Sequence, residues 1–204
     1  MIYTIYLNIF IKVLILNVYN LIGPIGSGKS EVQKILEESN QKCFCADHYV
    51  RNLYKDTQII NQIKKICPII IENEEVNTNS LRELVFNDIN KMREIENYIQ
   101  PKVFDKFNKL IKNYKNEDKI FFVIPVIKNN KFIKKHKTIY LDANINIRKK
   151  RLEKRKNYNE NIINKIIEYQ LSIDKYKSNS DYYIENNSSI LNLKNNIKKI
   201  LMKL

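Results

Sequence analysis

One short stretch of this sequence combines the residue types that bind a phosphate chain. Gly23, Gly28, Lys29 and Ser30 follow the spacing G-x-x-x-x-G-K-S, which is the phosphate-binding P-loop pattern. The glycines let backbone N–H groups approach a phosphate, the lysine reaches β- and γ-phosphate oxygens, and the serine hydroxyl is a ligand for Mg²⁺. The stretch therefore predicts a site for ATP with Mg²⁺ held by Ser30.

The distribution of glycine in the chain supports this interpretation. The 204 residues include only three glycines, Gly23, Gly26 and Gly28, whereas average usage of about 7% predicts about 14. All three lie in the predicted phosphate loop, with Ser27 between the last two. A loop that must bring its backbone close to a phosphate is where glycine is needed most.

A carboxylate, Asp47, follows the second predicted strand. In a P-loop fold, this is the place where an acceptor hydroxyl approaches the γ-phosphate. A carboxylate there can orient the hydroxyl and accept its proton, so Asp47 is a candidate catalytic residue. The alternative is that Asp47 serves only as the N-cap of the helix that follows.

Arginines further along the chain are suited to cover the phosphates. Arg151 and Arg155 are spaced i, i+4 in a predicted basic helix, which places both guanidinium groups on one face. Closed over the loop, they would neutralise charge on the transferred phosphoryl group and exclude water. The alternative is a solvated basic helix, because lysines surround both arginines. Arg148 and Arg93 are predicted to be surface residues.

These groups need a scaffold, and the hydrophobic pattern predicts one. Buried strands are predicted over Val13–Ile22, Lys42–Cys45, Ile120–Ile124, Thr138–Leu141 and Tyr182–Ile184. Helical patterns alternate with them. The fold class is therefore α/β, a doubly wound parallel sheet of about five strands with a P-loop, an inserted helical substrate region and a basic helical lid.

The helical patterns also predict where the chain changes direction. One helix is predicted over Ser30–Ser39 and another from Asp47 toward Ile66, with Pro101 at the start of a later helical segment and Asn159 as an N-cap. We expect one domain over 1–204. Its predicted parts are a core (13–58 and 117–142), an acceptor-binding region (59–116), a lid (145–170) and a closing segment (171–204).

Composition limits the classes of partner. Lys+Arg 36 against Asp+Glu 22 gives a net charge of +14, which favours polyanionic partners. Three cysteines without a CxxC pair predict a reducing, cytoplasmic environment, and two histidines leave little material for a histidine-centred hydrolase. Polar residues interrupt the apolar first 22 residues, so no stable membrane insertion is expected. Residues before the first strand are compatible with an edge strand, a weak targeting segment or a misassigned start.

Several motifs in their order along the chain resemble the dephospho-coenzyme A kinase family. They are the loop at 23–30, Ala46-Asp47-His48-Tyr49-Val50-Arg51, Ser80-Leu81-Arg82-Glu83-Leu84-Val85-Phe86, Gln100-Pro101, Ile124-Pro125-Val126-Ile127, Tyr140-Leu141-Asp142, Arg151 with Arg155, Gln170 and Ser180–Asn187. The resemblance extends from about residue 17 to the C-terminus.

The resemblance implies an activity and a set of site residues. The reaction would transfer the γ-phosphoryl group of ATP to the ribose 3′-hydroxyl of dephospho-CoA, with Mg²⁺ on the phosphates. Asp47 would hold the 3′-hydroxyl, and Arg51 and Arg82 would lie on the substrate side. Lys29 and Arg155 would act in catalysis. ATP binding would involve the loop together with Glu31, Arg151, Arg155 and Asn186.

Other interpretations stay open at this stage. Cys45, Pro24, Gln100, Lys128 or Asn129, Tyr176 and Ser188 depart from the residues usual in that family. Arg51 is also compatible with a solvated helix position that pairs weakly with Asp47. The alternatives for the whole chain are another P-loop kinase of a small molecule or nucleotide, and a non-catalytic module that binds nucleotide or nucleic acid. We expect no nucleic-acid partner, and a monomer or small homo-oligomer.

Overall fold

The computed structural model describes residues 17–115, 118–126, 131–156 and 158–204. The predictions made for the first 16 residues and for Lys128 and Asn129 lie outside these ranges. Within them, the backbone contains no cis peptide bond.

A five-stranded parallel sheet forms the centre of the described chain. Its strands are β1 (Asn17–Gly23), β2 (Lys42–Cys45), β5 (Lys119–Pro125), β6 (Lys137–Asp142) and β7 (Tyr182–Glu185), in the spatial order β2-β5-β1-β6-β7. All four pairings are parallel. Two further strands, β3 (Ile71–Glu72) and β4 (Glu75–Val76), form a small antiparallel hairpin.

Helices surround this sheet and separate its strands along the chain. They are α1 (Lys29–Glu38), α2 (Ala46–Leu53), α3 (Thr57–Ile66), α4 (Thr78–Asn87), α5 (Ile89–Ile111), α6 (Lys131–Lys135), α7 (Ile145–Glu153), α8 (Glu160–Ile173) and α9 (Ile190–Leu201), with a 3₁₀ turn at Pro68–Ile70. The alternation of strand and helix confirms the predicted doubly wound α/β class.

The sheet is buried on both faces, and alternate residues of each strand serve different faces. On one face, Ile22, Phe122 and Tyr140 pack with residues of α3, α4 and α5. On the other face, Leu21 and Phe121 pack with residues of α1 and α9. A strand covered on both faces is apolar at every position, which explains the continuous hydrophobic runs in the sequence.

Two helix predictions are wrong in detail. The helix expected from Asp47 toward Ile66 is two helices, because Asp56 accepts hydrogen bonds from the backbone N–H groups of Gln58 and Ile59 and so begins α3. Pro101 lies inside α5 and does not begin a segment. Buried residues on both sides of the proline, Ile99 and Val103 among them, hold the helix against the core, which compensates for one missing backbone hydrogen bond.

The parallel strands bring the candidate functional residues to one edge. The carboxyl ends of β1, β2, β6 and β7 all lie at this edge, because every strand of the sheet runs in the same direction. They lead into the predicted phosphate loop, Asp47, the basic helix and Asn186 respectively. Ligands of open α/β sheets bind at this edge.

Candidate active site

The phosphate loop connects the end of β1 to the first turn of α1. Gly26 and Gly28 have φ angles of 80° and 102°, in the left-handed region that side chains disfavour. Space is restricted as well, because a Cβ atom at Gly26 would lie 3.0 Å from the Cβ of Arg148, and one at Gly28 would meet Nδ2 of Asn186. Both positions therefore require glycine for conformation and for packing.

Side chains from other elements bind the outer side of this loop. Arg148 Nε donates to the carbonyl of Ile25 at 2.9 Å, and Asn186 Nδ2 donates to that of Ser27 at 2.8 Å. Arg151 Nη1 donates to the carbonyls of Gly26 and Ser27 at 3.4 and 3.3 Å. Three consecutive carbonyls, those of residues 25–27, are therefore held from outside.

This arrangement fixes the direction of the loop's donors. In a planar trans peptide the N–H points opposite to the C=O. The N–H groups of Gly26 and Gly28 therefore point away from Arg148 and Asn186, toward the inside of the loop. Inward N–H groups at the N-terminus of α1 form an anion-binding site, as phosphate binding requires.

Lys29 occupies the inside of the loop. Its Nζ donates to the carbonyls of Gly23 at 2.6 Å and Pro24 at 3.2 Å. Burial lowers the pKa of Lys29 to about 8, and Asp47 opposes this shift while Arg155 adds to it. Asp47 and Arg155 therefore both contribute to the electrostatic surroundings of the lysine.

Asp47 is the second residue of α2, and its side chain is exposed. The N-cap of α2 is Cys45, whose side chain makes no capping hydrogen bond. The alternative interpretation of Asp47 as the helix N-cap is therefore wrong. Arg51, one turn later and also exposed, donates from Nε to the main-chain carbonyl of Asp47 at 3.3 Å, so the two predicted acceptor-side residues adjoin each other.

The two arginines that were predicted to cover the phosphates have different surroundings. Helix α7 ends at Glu153, so Arg155 lies beyond it, and the prediction that Arg151 and Arg155 share one helical face is wrong. Arg151 is half-buried, and its Nη2 donates to the carbonyl of Asn186 at 2.9 Å. Burial lowers the pKa of Arg151. Arg151 thus supports the loop from outside, whereas Arg155 is exposed and close enough to influence Lys29.

The surface prediction for Arg148 and Arg93 is also wrong. Arg148 is only 4% exposed, and its Cα and Cβ would contact any side chain at Gly26. Arg93 is half-buried, with its guanidinium carbon 5.8 Å from the centre of the Tyr169 ring. A sequence pattern of scattered basic residues cannot distinguish a buried or half-buried arginine from a solvated one, because both kinds occur on helices rich in lysine.

The remaining predicted residues are placed as follows. Ser30 is exposed in the first turn of α1, and Glu31 follows it, half-buried. Arg82 is exposed on α4, where Nη1 donates to Asn79 Oδ1 at 3.2 Å. No hydrogen bond or ion pair in the described ranges links Arg82 to the phosphate loop. The same ranges contain no cluster of three or more His, Cys, Asp or Glu side chains that could hold a metal ion.

Sequence reasoning missed the role of Gln170. Its Oε1 accepts a hydrogen bond from the backbone N–H of Ile25 at 2.8 Å, across 145 residues of chain. The resemblance marked this glutamine without giving it a function. No local pattern identifies such a residue, because the contact depends on how α8 lies over the loop.

Comparison with known proteins places this site in a family. The family model described as CoaE, dephospho-CoA kinase, matches residues 17–192. The chain is 32% identical over 185 residues to the dephospho-CoA kinase of Rickettsia typhi, covering 89% of this chain and 94% of the relative. The chain belongs to the dephospho-CoA kinase family. The family member of Fusobacterium nucleatum is 30% identical over 181 residues, covering 86% and 92%.

Solved structures support the fold. A protein named TT1252 from Thermus thermophilus matches with a TM-score of 0.74 at 20% identity, covering 93% of this chain and 98% of the other. Dephospho-CoA kinase from Campylobacter jejuni matches with a TM-score of 0.65 at 21% identity, covering 93% and 97%. A shikimate kinase from Acinetobacter baumannii gives a TM-score of 0.52 at 18% identity, covering 92% and 94%. The family assignment confirms the resemblance seen in the sequence.

The described helices include none with the length and apolar character that crossing a bilayer requires.

Proposed function

We propose that the chain transfers the γ-phosphoryl group of ATP to the ribose 3′-hydroxyl of dephospho-CoA, giving CoA and ADP in the last step of CoA biosynthesis. One observation carries the proposal. A phosphate loop that contains Lys29 has three outer carbonyls held by side chains, and Asp47 and Arg155 both influence the pKa of that lysine, in a chain of this kinase family. The name dephospho-CoA kinase, carried by the relatives from Rickettsia typhi and Rickettsia prowazekii, supports the choice of acceptor.

The loop and the first turn of α1 suit the triphosphate. The inward N–H groups of Gly26 and Gly28, those of Lys29 and Ser30 in the first turn of α1, and the ammonium group of Lys29 provide donors for its oxygens. Ser30 offers an exposed hydroxyl beside them, which fits a Mg²⁺ ion that takes its other ligands from phosphate and water. When bound, Mg²⁺ would offset charge on the phosphates. Asn186 and Arg151 contribute by holding the loop, and Arg155 contributes charge.

The acceptor would enter from the side of α2. Asp47 would accept a hydrogen bond from the 3′-hydroxyl, and Arg51, anchored to the Asp47 main chain, would bind the anionic part of the same molecule. Arg82 would bind the acceptor from α4. We assign acceptor binding to residues 59–116. Along the chain, this region lies between β2 and β5, the two neighbouring strands at the Asp47 side of the sheet.

The transfer itself would use few protein groups. The 3′-oxygen forms a bond to the γ-phosphorus while the bond from that phosphorus to the bridging oxygen breaks, and ADP leaves with the electron pair. Asp47 accepts the hydroxyl proton. Lys29 and Arg155 stabilise the negative charge that spreads over the transferred group and the leaving oxygen.

The wider setting follows from the same proposal. A kinase of this type acts in the cytoplasm as a monomer or a small homo-oligomer and needs no nucleic-acid partner. The charge of +14 then favours anionic nucleotides and acceptors. Duplex DNA binding that weakens steeply with salt, in a protein without kinase turnover, would instead indicate a nucleic-acid module.

Product analysis tests the proposed function. Purified chain, ATP and Mg²⁺ are incubated with dephospho-CoA, and in parallel with nucleoside monophosphates and with shikimate. We expect ADP release with dephospho-CoA and a product whose mass has increased by one phosphoryl group. Faster turnover of a nucleoside monophosphate or shikimate would show that the acceptor is wrong.

A further inference from the structure

Two neighbouring residues of α8 make contacts with two different parts of the molecule. Gln170 Oε1 accepts from the backbone N–H of Ile25 in the phosphate loop at 2.8 Å. Tyr169 donates from its hydroxyl to Oε2 of Glu96 on α5 at 2.6 Å. One turn of helix therefore contacts both the phosphate loop and the helical region assigned to the acceptor.

The groups at both ends of this connection make further contacts. The backbone N–H of Ile25 donates to Gln170, and the carbonyl of Ile25 accepts from Arg148 at 2.9 Å. Both backbone polar groups of Ile25 are therefore hydrogen-bonded. On the other side, the guanidinium carbon of Arg93 lies 5.8 Å from the centre of the Tyr169 ring. Helix α8 also packs against α4, which carries Arg82.

We propose that Tyr169 and Gln170 are positioning residues that couple acceptor binding to the conformation of the phosphate loop. The inference rests on the proposed function, because it needs residues 59–116 to bind the acceptor. Binding that shifts α4 or α5 moves Tyr169 through the Glu96 hydrogen bond. Gln170 is adjacent on the same helix, so the shift reaches Ile25 and changes the orientation of the loop donors.

This coupling has a thermodynamic consequence. If acceptor binding stabilises the loop conformation that binds ATP, each ligand must tighten the other by the same factor. Couplings of this kind amount to about 5- to 150-fold. A purely structural role for Gln170 would lower the affinity for ATP equally with and without acceptor, and would leave this factor unchanged.

Titration calorimetry measures the factor directly. The dissociation constant of adenylyl imidodiphosphate, an ATP analogue that resists transfer, is determined with Mg²⁺ in the absence and presence of saturating dephospho-CoA. We expect the wild-type chain to bind the analogue about 5-fold or more tightly with acceptor present. In Gln170→Leu, which cannot accept a hydrogen bond, the factor falls close to one, and Tyr169→Phe gives the same loss.

Three further variants complete the test. Gln170→Glu keeps an acceptor oxygen, so the factor stays near the wild-type value although added negative charge weakens analogue binding in both conditions. The double variant of Tyr169→Phe with Gln170→Leu loses no more than either single one, because both residues belong to one connection. Leu171→Ala, an exposed neighbour on α8, keeps the wild-type factor.

A wild-type factor of one, or a wild-type factor retained in Gln170→Leu and Tyr169→Phe, overturns the coupling. If Gln170→Leu fails to fold, as judged by thermal unfolding, Tyr169→Phe and Gln170→Glu decide. Turnover of dephospho-CoA by the wild-type chain is measured separately. Its absence would refute the proposed function, whereas turnover without coupling would refute only this inference.

Discussion

Arg151 and Arg155 make a paired test of what the basic region does. Both were predicted from sequence to cover the phosphates, yet Arg151 donates to the main-chain carbonyls of Gly26, Ser27 and Asn186, and Arg155 is exposed near Lys29. Replacing each arginine by methionine removes the charge and keeps an unbranched side chain. The two variants should therefore differ in kind.

The structure sets the size of the expected difference. Arg151→Met removes one well-formed hydrogen bond of 2.9 Å and two long ones of 3.3 and 3.4 Å. A hydrogen bond from a charged group contributes about 1.5–3 kcal/mol. Because Arg151 is half-buried and two of its bonds are long, we expect a loss of about 1.5–2 kcal/mol in the free energy of unfolding, near the lower end. For a chain of this size, that loss lowers Tm by about 3–8 °C.

Arg155→Met should leave the fold intact and impair the chemistry. An exposed substitution changes the free energy of unfolding by at most about 0.5 kcal/mol. The loss of an arginine that stabilises transferred charge lowers kcat by about 10³-fold or more. Arg151→Met should instead raise KM for ATP about tenfold, because a less ordered loop binds phosphate more weakly.

Differential scanning fluorimetry and steady-state kinetics on both variants decide the matter. The expected pattern is a lower Tm for Arg151→Met and a lower kcat at unchanged Tm for Arg155→Met. An Arg151→Met variant with wild-type Tm and a thousandfold lower kcat would refute the assignment of Arg151 to the outer side of the loop.

Two further predictions concern the loop itself. In the protein without ligand, burial lowers the pKa of Lys29 to about 8. Phosphate binding needs the charged form of this lysine. We therefore expect kcat/KM for ATP to stay level near pH 7 and to decline above about pH 8. A pH–rate profile without a decline between pH 8 and 10 would contradict this role. Gly28→Ala places a Cβ against Nδ2 of Asn186, at a residue whose φ angle is 102°. We expect this variant to lose about 1–2 kcal/mol of stability and to bind ATP at least tenfold more weakly. Wild-type ATP titration and thermal unfolding curves would contradict it.

Much of the fold could be predicted because its signals are local. The strand over Lys42–Cys45 has the predicted bounds, and the others differ by a residue or two where they are described. Asn159 accepts from the N–H of Ile162 as the predicted cap of α8. The break at Asp56 was harder to predict, because the apolar positions continue across it and only the cap ends the run.

Site residues could be predicted where the local chemistry requires one residue type. They were harder to predict where the role of a side chain depends on distant packing partners. Gly26 has the left-handed φ angle that only glycine adopts readily, Lys29 contacts the loop carbonyls, and Cys45 occupies the N-cap position of α2. Arg148 was misjudged because its burial depends on packing against Gly26. Tyr176, one of the departures from the family, lies buried in the hydrophobic core, a position that suits an aromatic ring better than a charged side chain.

The most direct test of the mechanism is single-turnover phosphoryl transfer by Asp47→Asn. Asparagine preserves the size of the side chain and cannot accept the hydroxyl proton, so transfer to dephospho-CoA should slow by roughly 10²–10⁴-fold. The affinity for ATP should stay within about twofold, because Asp47 does not hold the loop. Glu37→Gln, an exposed carboxylate on α1, is the matched control and should transfer at the wild-type rate. A wild-type transfer rate in Asp47→Asn would contradict the account.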